Sequence, residues 1–217
     1  MQNVNLISIT SGTIENIKLS AEELISYTAR VSNPSNQLNM ETSPKLIAYL
    51  IKNKHWSPFE MSHMVVEIIT SRAIAQQILR HRSFSFQEFS QRYSKATDFI
   101  KYEARRQDIK NRQNSVDDME STTKQWFLDA QSEVINLSEK LYKESIDKGI
   151  AKEQARFLLP LNTQTTMYMS GSIRSWIHYL ELRCANGTQK EHKEIADMIK
   201  FLFVSNFPDT SRALNWI

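Results

Sequence analysis

The chain has 217 residues, of which 41% are hydrophobic and 24% are charged. This composition is ordinary for a soluble globular protein, and no internal repeat or low-complexity segment is present. The length fits one domain spanning residues 1–217, and a single cysteine, Cys184, excludes an internal disulfide.

The N-terminal residues Met1–Val4 have neither the basic region nor the apolar region of a secretory signal. The sequence has no apolar run near the roughly 20 residues that a membrane-spanning helix needs. We therefore expect a cytoplasmic protein with no membrane partner.

The formal net charge is +3, but the positive charge is concentrated in one segment. Residues 71–113 contain ten Lys or Arg and four Asp or Glu, which gives that segment a net charge of +6. A concentrated positive segment suggests a partner that carries phosphate, and a nucleotide and a nucleic acid are both eligible.

The first half of the chain predicts alternating strands and helices. A strand is expected over Asn3–Thr10, and Ser20 with Glu23 forms a capping-box pattern that starts a helix at Ala21. After a loop at 34–39, Pro44 starts a second helix. The β-rich run 61–70 predicts a central strand, and Ser71 is a candidate cap for the helix that follows.

The second half predicts an irregular polar stretch at 95–119 and then helices. We interpret the cations at 105–106 and 110–112 as a solvated loop, although closure of this loop over a substrate stays open. Residues 123–148 form an amphipathic helix that ends at Gly149. A strand is expected at 164–170, a helix over 173–183 capped by Ser172, and a last helix over 189–207 that Pro208 terminates.

The segment Gln77–Tyr93 concentrates groups suited to an anionic ligand. The helical spacing before it places Arg80, His81 and Arg82 in the last turn of a helix. The following residues alternate, so an extended chain would put Glu88, Ser90 and Arg92 on one side. Two simpler explanations remain open: cations are favoured at helix C-termini, and a polar row is common on the exposed face of a strand.

Several classes of chemistry lack their motifs. The four glycines form neither a dinucleotide-binding G-x-G-x-x-G nor a phosphate-binding loop, and no spacing resembles a zinc site. Arg183 could lower the pKa of the Cys184 thiol, but a lone cysteine in a helical segment is more often a small packed hydrophobic residue.

The sequence resembles the flavin-dependent thymidylate synthases (ThyX). Arg80-His81-Arg82, seven further residues and Ser90 match the RHR-x7-S signature of that family. Other blocks follow the family's order: His55-Trp56-Ser57-Pro58-Phe59-Glu60, Ala155-Arg156 before Leu159-Pro160-Leu161, and Arg174 before Leu182-Arg183. The resemblance runs from about Ala29 to Gln189.

The resemblance implies a fold and a set of site residues. The fold would be α+β, with a mixed or antiparallel central sheet flanked by long helices, assembled as a homotetramer with active sites shared between subunits. The residues implied to bind dUMP are Gln77, Arg80, Glu88, Phe89, Ser90, Gln91, Arg92, Arg156 and Arg183. Those implied to bind FAD are Ser57, Arg80, His81, Arg82, Glu88, Ser172, Arg174 and His178, and His55 is implied to stack near flavin and folate. Ser172 and His178 stand where the family itself varies.

The implied reaction is reductive methylation of dUMP to dTMP without an enzyme nucleophile. FAD would be the cofactor, with NADPH as reductant and methylenetetrahydrofolate as carbon donor. We assign Arg183 the catalytic role of stabilising negative charge on the pyrimidine ring, and Ser90 a role in positioning the ligand. The alternatives are a small basic nucleic-acid-binding protein and a non-catalytic interaction domain, both of which predict a colourless preparation.

Overall fold

The structure, a computed structural model, describes residues 1–95 and 98–217. The predicted irregular segment 95–119 therefore lies partly outside the described residues. Within the described part, the elements are β1 Asn3–Ile9, β2 Gly12–Ile14, β3 Ile17–Leu19, α1 Ala21–Ala29, α2 Ser43–Lys52, β4 His63–Ser71, α3 Arg72–Ile78, β5 Ser85–Glu88, β6 Arg106–Gln107, β7 Ser115–Val116, α4 Ser121–Asp147, α5 Lys152–Ala155, β8 Gln164–Ser172, α6 Ile173–Arg183, α7 Lys190–Asn206 and α8 Pro208–Ala213.

The main sheet has four strands in the order β1-β4-β8-β5, and each neighbouring pair is antiparallel. β4 and β8 are central and pair over their full nine residues, from His63↔Ser172 to Ser71↔Gln164. Their side chains alternate between a buried face and a partly exposed face, which is the pattern of a sheet covered on one side. The expected α+β fold is thereby confirmed, with an antiparallel sheet.

Helices cover the buried face of this sheet. Trp176 of α6 is fully buried, and its indole Nε1–H donates to the carbonyl oxygen of Met64 at 3.0 Å. The core also takes in side chains from α1, α2, α3 and α7, including Ile25, Ile47, Ile78, Ile195 and Phe203. α6 therefore packs against the central strand β8, and α7 packs against α6 and the edge strand β1.

The helix starts follow local sequence rules. The capping box is confirmed, because the backbone N–H of Glu23 donates to Ser20 Oγ at 3.2 Å and that of Ser20 to Glu23 Oε2 at 2.7 Å. The cap at Ser172 is also confirmed, with the Ser175 N–H donating to Ser172 Oγ at 3.3 Å. Ser71 does occupy the N-cap of α3, but its hydroxyl accepts from Tyr102 at 2.7 Å instead of capping the helix.

Four predictions about elements were wrong or incomplete. The α3 helix ends at Ile78, so Arg80–Arg82 lie beyond it, not in its last turn. Pro208 starts α8 instead of only ending α7, because proline fits the first position of a new helix. A hairpin, β2–β3, was missed; its turn residues Glu15 and Asn16 both have positive φ. The polar stretch after Ile100 contains a second small hairpin, β6–β7.

No helix in the described part of the chain has the length and apolar character needed to cross a membrane.

Candidate active site

Two segments of the predicted site meet although about a hundred residues separate them in the sequence. Arg183 lies in the last turn of α6, and its guanidinium Nε–H donates to His81 Nε2 at 2.9 Å. His81 follows α3, in the turn that leads to the edge strand β5. The chain between α3 and β5 therefore brings the Arg80–Arg82 segment against the C-terminal end of α6.

The His81 ring is neutral at physiological pH. Burial, and then the positive charge of Arg183, lower the pKa of His81 to about 4. A neutral imidazole has one acceptor nitrogen, so Nε2 accepts from Arg183 and the proton resides on Nδ1. Tyr179 packs edge-on against the same ring at a centroid distance of 4.8 Å, which holds the imidazole in place.

A second histidine extends this cluster into the core. His192 of α7 is fully buried, and its Nε2 lies 3.0 Å from the hydroxyl oxygen of Tyr179. Burial, and then the charges of Arg183 and His81, lower the pKa of His192 to about 3, so it too is neutral. The histidines near the guanidinium of Arg183 are therefore polar but uncharged.

A polar cavity of about 420 Å³ lies at the start of α6. Its walls come from the end of β8, the start of β5, the start of α6 and the turn before β4. The lining residues are Glu60, His63, Ser83, Ser85, Ser170, Gly171, Ser172, Arg174, Ser175 and His178. The first backbone N–H groups of an eleven-residue helix, a guanidinium and several hydroxyls here form a set suited to phosphate oxygens.

Two contacts fix the predicted flavin residues of α6. Arg174 Nη1 lies 2.6 Å from Glu60 Oε1, which ties α6 to the short turn Ser57–Glu60. The His178 ring packs edge-on against Trp56 at 5.0 Å, in the segment just before that turn. His55 is exposed, and its ring lies 6.0 Å from that of Tyr49. Ser57, His55, Arg174 and His178 therefore belong to one neighbourhood, and Glu60, to which the sequence assigned no role, joins them through its ion pair with Arg174.

The expected polar row at Glu88, Ser90 and Arg92 is wrong. β5 ends at Glu88, and residues 91–93 form a turn, so the three side chains do not share one face of an extended segment. Glu88 instead accepts from Thr165 Oγ1 at 2.9 Å and pairs with Arg72 Nη1 at 3.4 Å. The ion pair between Glu88 and Arg72 is a tertiary contact, so the alternation of polar and apolar residues along the sequence could not predict it.

The rest of this segment lies near the helix α5. Arg92 Nε is 3.3 Å from Glu153 Oε2, and Arg156 Nε–H donates to the Glu153 carbonyl oxygen at 3.2 Å. Ser90 Oγ accepts from the Arg92 backbone N–H at 3.4 Å. Arg92 and Arg156, which sequence reasoning placed in one site, are therefore linked through Glu153.

Phe89 and Gln91 flank Ser90. The Phe89 backbone N–H donates to the Thr166 carbonyl oxygen at 2.8 Å, which extends the pairing with β8 by one residue. Gln91 is 4% exposed, and within the part of the chain that the structure describes its amide nitrogen has no hydrogen-bond partner. An unpaired buried donor costs free energy, so Gln91 is suited to meet an acceptor that the single chain does not supply.

The predicted site residues fall into two groups at opposite ends of β8. The Ser172 end holds the cavity with Arg174, whereas the Gln164 end leads back to Arg156. Nine residues of strand span roughly 26 Å from the first Cα to the last. One copy of the chain therefore joins Arg183 to His81 at the C-terminal end of α6 and places Arg174 in the cavity at its N-terminal end, whereas Arg92 and Arg156 meet separately at Glu153.

Gln77 has partners that the sequence did not suggest. Its amide Nε2 donates to Gln189 Oε1 at 2.6 Å, and Gln189 Nε2 donates to Glu191 Oε2 at 2.8 Å. Glu191 in turn forms an ion pair with Arg105 at 2.6 Å. Arg105 was expected in a solvated loop, but its side chain is mostly buried against α7, so that expectation was wrong for this residue.

Cys184 is a free, partly buried cysteine that packs against the core. Burial is the main factor that raises the pKa of its thiol to about 11, so the thiolate is scarce at neutral pH. Burial therefore outweighs any effect of the neighbouring Arg183, in agreement with the interpretation of Cys184 as a packed residue. Among the described residues, no group of three or more His, Cys, Asp or Glu side chains is arranged to hold a metal ion.

Comparison with known proteins decides the family. The family model described as "Thymidylate synthase complementing protein" matches residues 14–209. The flavin-dependent thymidylate synthase of Synechocystis sp. is 56% identical over 216 residues, which covers 99% of this chain and 100% of that protein. This chain belongs to the flavin-dependent thymidylate synthase family. It is therefore a member of an enzyme family, and the resemblance drawn from its motifs is confirmed.

Further relatives agree with this membership. A protein of Paramecium bursaria Chlorella virus 1, named a probable flavin-dependent thymidylate synthase, is 51% identical over 216 residues and covered in full. A crystal structure of the UMP/dUMP methylase PolB from Streptomyces cacaoi, bound with 5-Br dUMP, matches with a TM-score of 0.85, covering 100% of this chain and 96% of that chain. At 22% sequence identity, that match shows a shared fold. The relatives favour the enzyme over the two alternatives from sequence.

Proposed function

We propose that this chain catalyses the reductive methylation of dUMP to dTMP, with FAD as cofactor, methylenetetrahydrofolate as carbon donor and NADPH as reductant. Membership of the flavin-dependent thymidylate synthase family is the basis of this proposal. The observation that carries it in this chain is the hydrogen bond of 2.9 Å between Arg183 and His81, because it joins the predicted catalytic cation to the family's signature segment.

The residues at the start of α6 fit the diphosphate of FAD. The cavity of about 420 Å³ is lined by serine hydroxyls, by Arg174 and by the N-terminal turn of α6, all of which favour phosphate oxygens. Ser172 supports this cavity because its hydroxyl caps the helix from the buried side. Arg174, Ser172 and His178 would hold the cofactor here, and Arg82, which is exposed, would add charge from the preceding turn.

Bound FAD would supply hydride transfer, chemistry that protein side chains do not provide. Arg183 contributes a fixed positive charge next to the pyrimidine. As negative charge develops on the imide side of the ring, the attraction of the guanidinium grows, so Arg183 stabilises the transition state more than the ground state. Neutral His81 orients this guanidinium without adding a competing positive charge.

The second group of residues is proposed to complete the site in another copy of the chain. Arg92 and Arg156 both contact Glu153 and do not line the α6 cavity, yet guanidinium pairs of this kind suit nucleotide phosphate. The long helix α4 exposes Trp126 by 66%, Val134 by 52% and Leu137 by 58%, a large apolar face for a helix in water. We propose a homotetramer in which such faces meet and in which Gln91, Arg92 and Arg156 reach a neighbour's nucleotide site.

The deciding experiment is an absorption spectrum of the purified protein, followed by titration with dUMP. A yellow preparation whose flavin bands shift on addition of dUMP is expected. With saturating dUMP, methylenetetrahydrofolate and NADPH, Arg183→Ala should lose most turnover but retain its flavin bands. A colourless protein that does not take up added FAD, or an Arg183→Ala variant with near-normal turnover, contradicts the proposal.

Sharing of sites between subunits can be tested by mixing inactive variants. Arg183→Ala and Arg156→Ala lie in different groups, so a mixed tetramer can assemble some sites from two unaltered contributions. Activity should return when the two variants are reassembled together. Arg183→Ala mixed with His81→Phe is the matched control, because both changes fall in the same group and no intact site can form. Equal recovery in both mixtures contradicts shared sites.

A further inference from the structure

A chain of hydrogen bonds leads from a buried ion pair to the predicted nucleotide-binding glutamine. Arg105 pairs with Glu191 at 2.6 Å, Gln189 Nε2 donates to Glu191 at 2.8 Å, and Gln77 Nε2 donates to Gln189 Oε1 at 2.6 Å. These residues come from three separate parts of the sequence: the segment before β6, the start of α7 and the last turns of α3. This series of hydrogen bonds ends at Gln77, whose carbonyl oxygen and second amide hydrogen take no part in it.

The negative charge of Glu191 fixes which group donates and which accepts in each hydrogen bond of this series. Burial alone would raise the pKa of Glu191, but hydrogen bonds from Arg105 and Gln189 lower it below its ordinary value, so the side chain is a carboxylate that only accepts. Gln189 must therefore turn its NH₂ towards Glu191, and this leaves its carbonyl oxygen for Gln77. Gln77 in turn must present its NH₂ to Gln189, since two amide oxygens cannot share a hydrogen bond.

An amide that cannot rotate recognises one pyrimidine edge. Uracil presents a donor at N3 and an acceptor at O4, whereas cytosine presents an acceptor at N3 and a donor at the 4-amino group. A glutamine whose amide can turn by 180° pairs with either edge, because the turn exchanges its oxygen and its nitrogen. A glutamine whose amide nitrogen is hydrogen-bonded to another residue can present its oxygen and nitrogen in only one orientation. The wrong base then leaves buried polar groups unpaired.

We propose that Arg105, Glu191 and Gln189 are specificity-determining residues that lock the amide orientation of Gln77 and so select uracil over cytosine nucleotides. This inference rests on the proposed function, in which Gln77 contacts dUMP. It assigns a role to three residues outside the family's signature blocks, and it explains why a charged pair is buried at the start of α7. The lock acts through Gln77, so its members are positioning residues and do not contact the substrate.

Gln189→Leu tests the lock with little risk to folding. Gln189 is exposed and its side chain does not cap α7, and the change leaves the Arg105–Glu191 ion pair intact. The matched control is Gln125→Leu, which removes another exposed glutamine whose amide donates to a carboxylate, Asp129 at 2.9 Å, on the remote helix α4. The flavin-loaded enzyme is titrated with dUMP and with dCMP, and the ratio of the two dissociation constants is the measurement.

Wild type and Gln125→Leu should bind dUMP far more tightly than dCMP. In Gln189→Leu the dissociation constant for dCMP divided by that for dUMP should fall by about tenfold or more, which corresponds to about 1.4 kcal/mol. The fall should come mainly from tighter dCMP binding. Glu191→Gln should narrow the ratio in the same way, because an amide at that position accepts either orientation of Gln189. An unchanged ratio in a Gln189→Leu enzyme that still binds dUMP overturns the inference alone. Failure of the wild-type enzyme to bind dUMP overturns the proposed function as well, and the two failures are thereby distinguished.

Discussion

Glu22 anchors the C-terminal helix to α1, and loss of one of its partners should destabilise the fold measurably. Glu22 as a whole is 7% exposed. Its Oε1 accepts from the backbone N–H and from the hydroxyl of Thr210, each at 2.7 Å, and its Oε2 accepts from the Asp209 N–H at 3.3 Å. Thr210 is itself fully buried at the start of α8, so neither end of these bonds can turn to water instead.

Thr210→Val keeps the shape of the side chain and removes one hydrogen bond to a charged acceptor. A net contribution of about 1.5–3 kcal/mol is typical of such a bond, and that is the expected loss in the free energy of unfolding. For a chain of this length each kcal/mol corresponds to about 2–4 °C, so the melting temperature should fall by roughly 3–12 °C. Urea unfolding followed by circular dichroism, at one fixed protein concentration, measures the loss.

Thr122→Val is the control, since Thr122 is exposed in the first turn of α4 and should change stability by no more than about 0.5 kcal/mol. If Thr210→Val behaves like this control, the hydroxyl contributes nothing and the anchor as described is refuted.

The same carboxylate makes a prediction about pH. Burial is the largest influence on Glu22 and raises its pKa above 4.5 despite the hydrogen bonds. The folded state then holds its proton more strongly than the unfolded state, so the contribution of Glu22 to stability is full below pH 4.5 and declines as pH rises through the raised pKa. The stability of wild type relative to Glu22→Gln should therefore decrease as pH rises from 4.5. A difference that grows over that interval contradicts the assigned direction.

Three further substitutions test the site and the core. His81→Gln keeps an acceptor for Arg183 and should retain more dUMP affinity than His81→Phe, whereas equal affinities would show that the bond is unimportant. Gly171→Ala places a Cβ against the ring of Phe84 in a tightly packed core. It should lower the free energy of unfolding in urea by about 1–3 kcal/mol and weaken FAD binding in a spectral titration. No change in either measurement would mean that the Phe84 ring moves aside freely. Trp176→Phe removes the indole donor to the Met64 carbonyl and shrinks a fully buried side chain, so calorimetry should show a loss of about 2–4 kcal/mol in the free energy of unfolding, and a loss below 1 kcal/mol would contradict these contributions.

Local sequence rules were reliable where a few neighbouring residues decide the outcome. The capping box at Ser20 and Glu23 works within one helical turn, and the Ser172 cap works in the same way. Gly149 has a φ of +80° just after α4, as a residue ending a long helix often does. The family motifs were equally readable, because the chemistry of the site requires particular residue types at fixed spacing.

Contacts between distant segments could not be read in this way. The alternation after β5 suggested an exposed row, yet Glu88 turns inward because Arg72 and Thr165 offer it partners. Arg105 looked like one of several solvent-exposed cations, and only the packing of its segment against α7 brings Glu191 within 2.6 Å.

The sequence by itself determined where most helices and strands begin, which family the chain belongs to and which residue types serve its chemistry. The tertiary structure alone decided which of these residues meet: Arg183 with His81, Gln77 with Gln189, and Arg92 with Arg156 through Glu153. The physical reason is range. Caps, turns and periodicity act over a few residues, whereas charge pairing and desolvation depend on distances in space that the chain sets only once its core is packed.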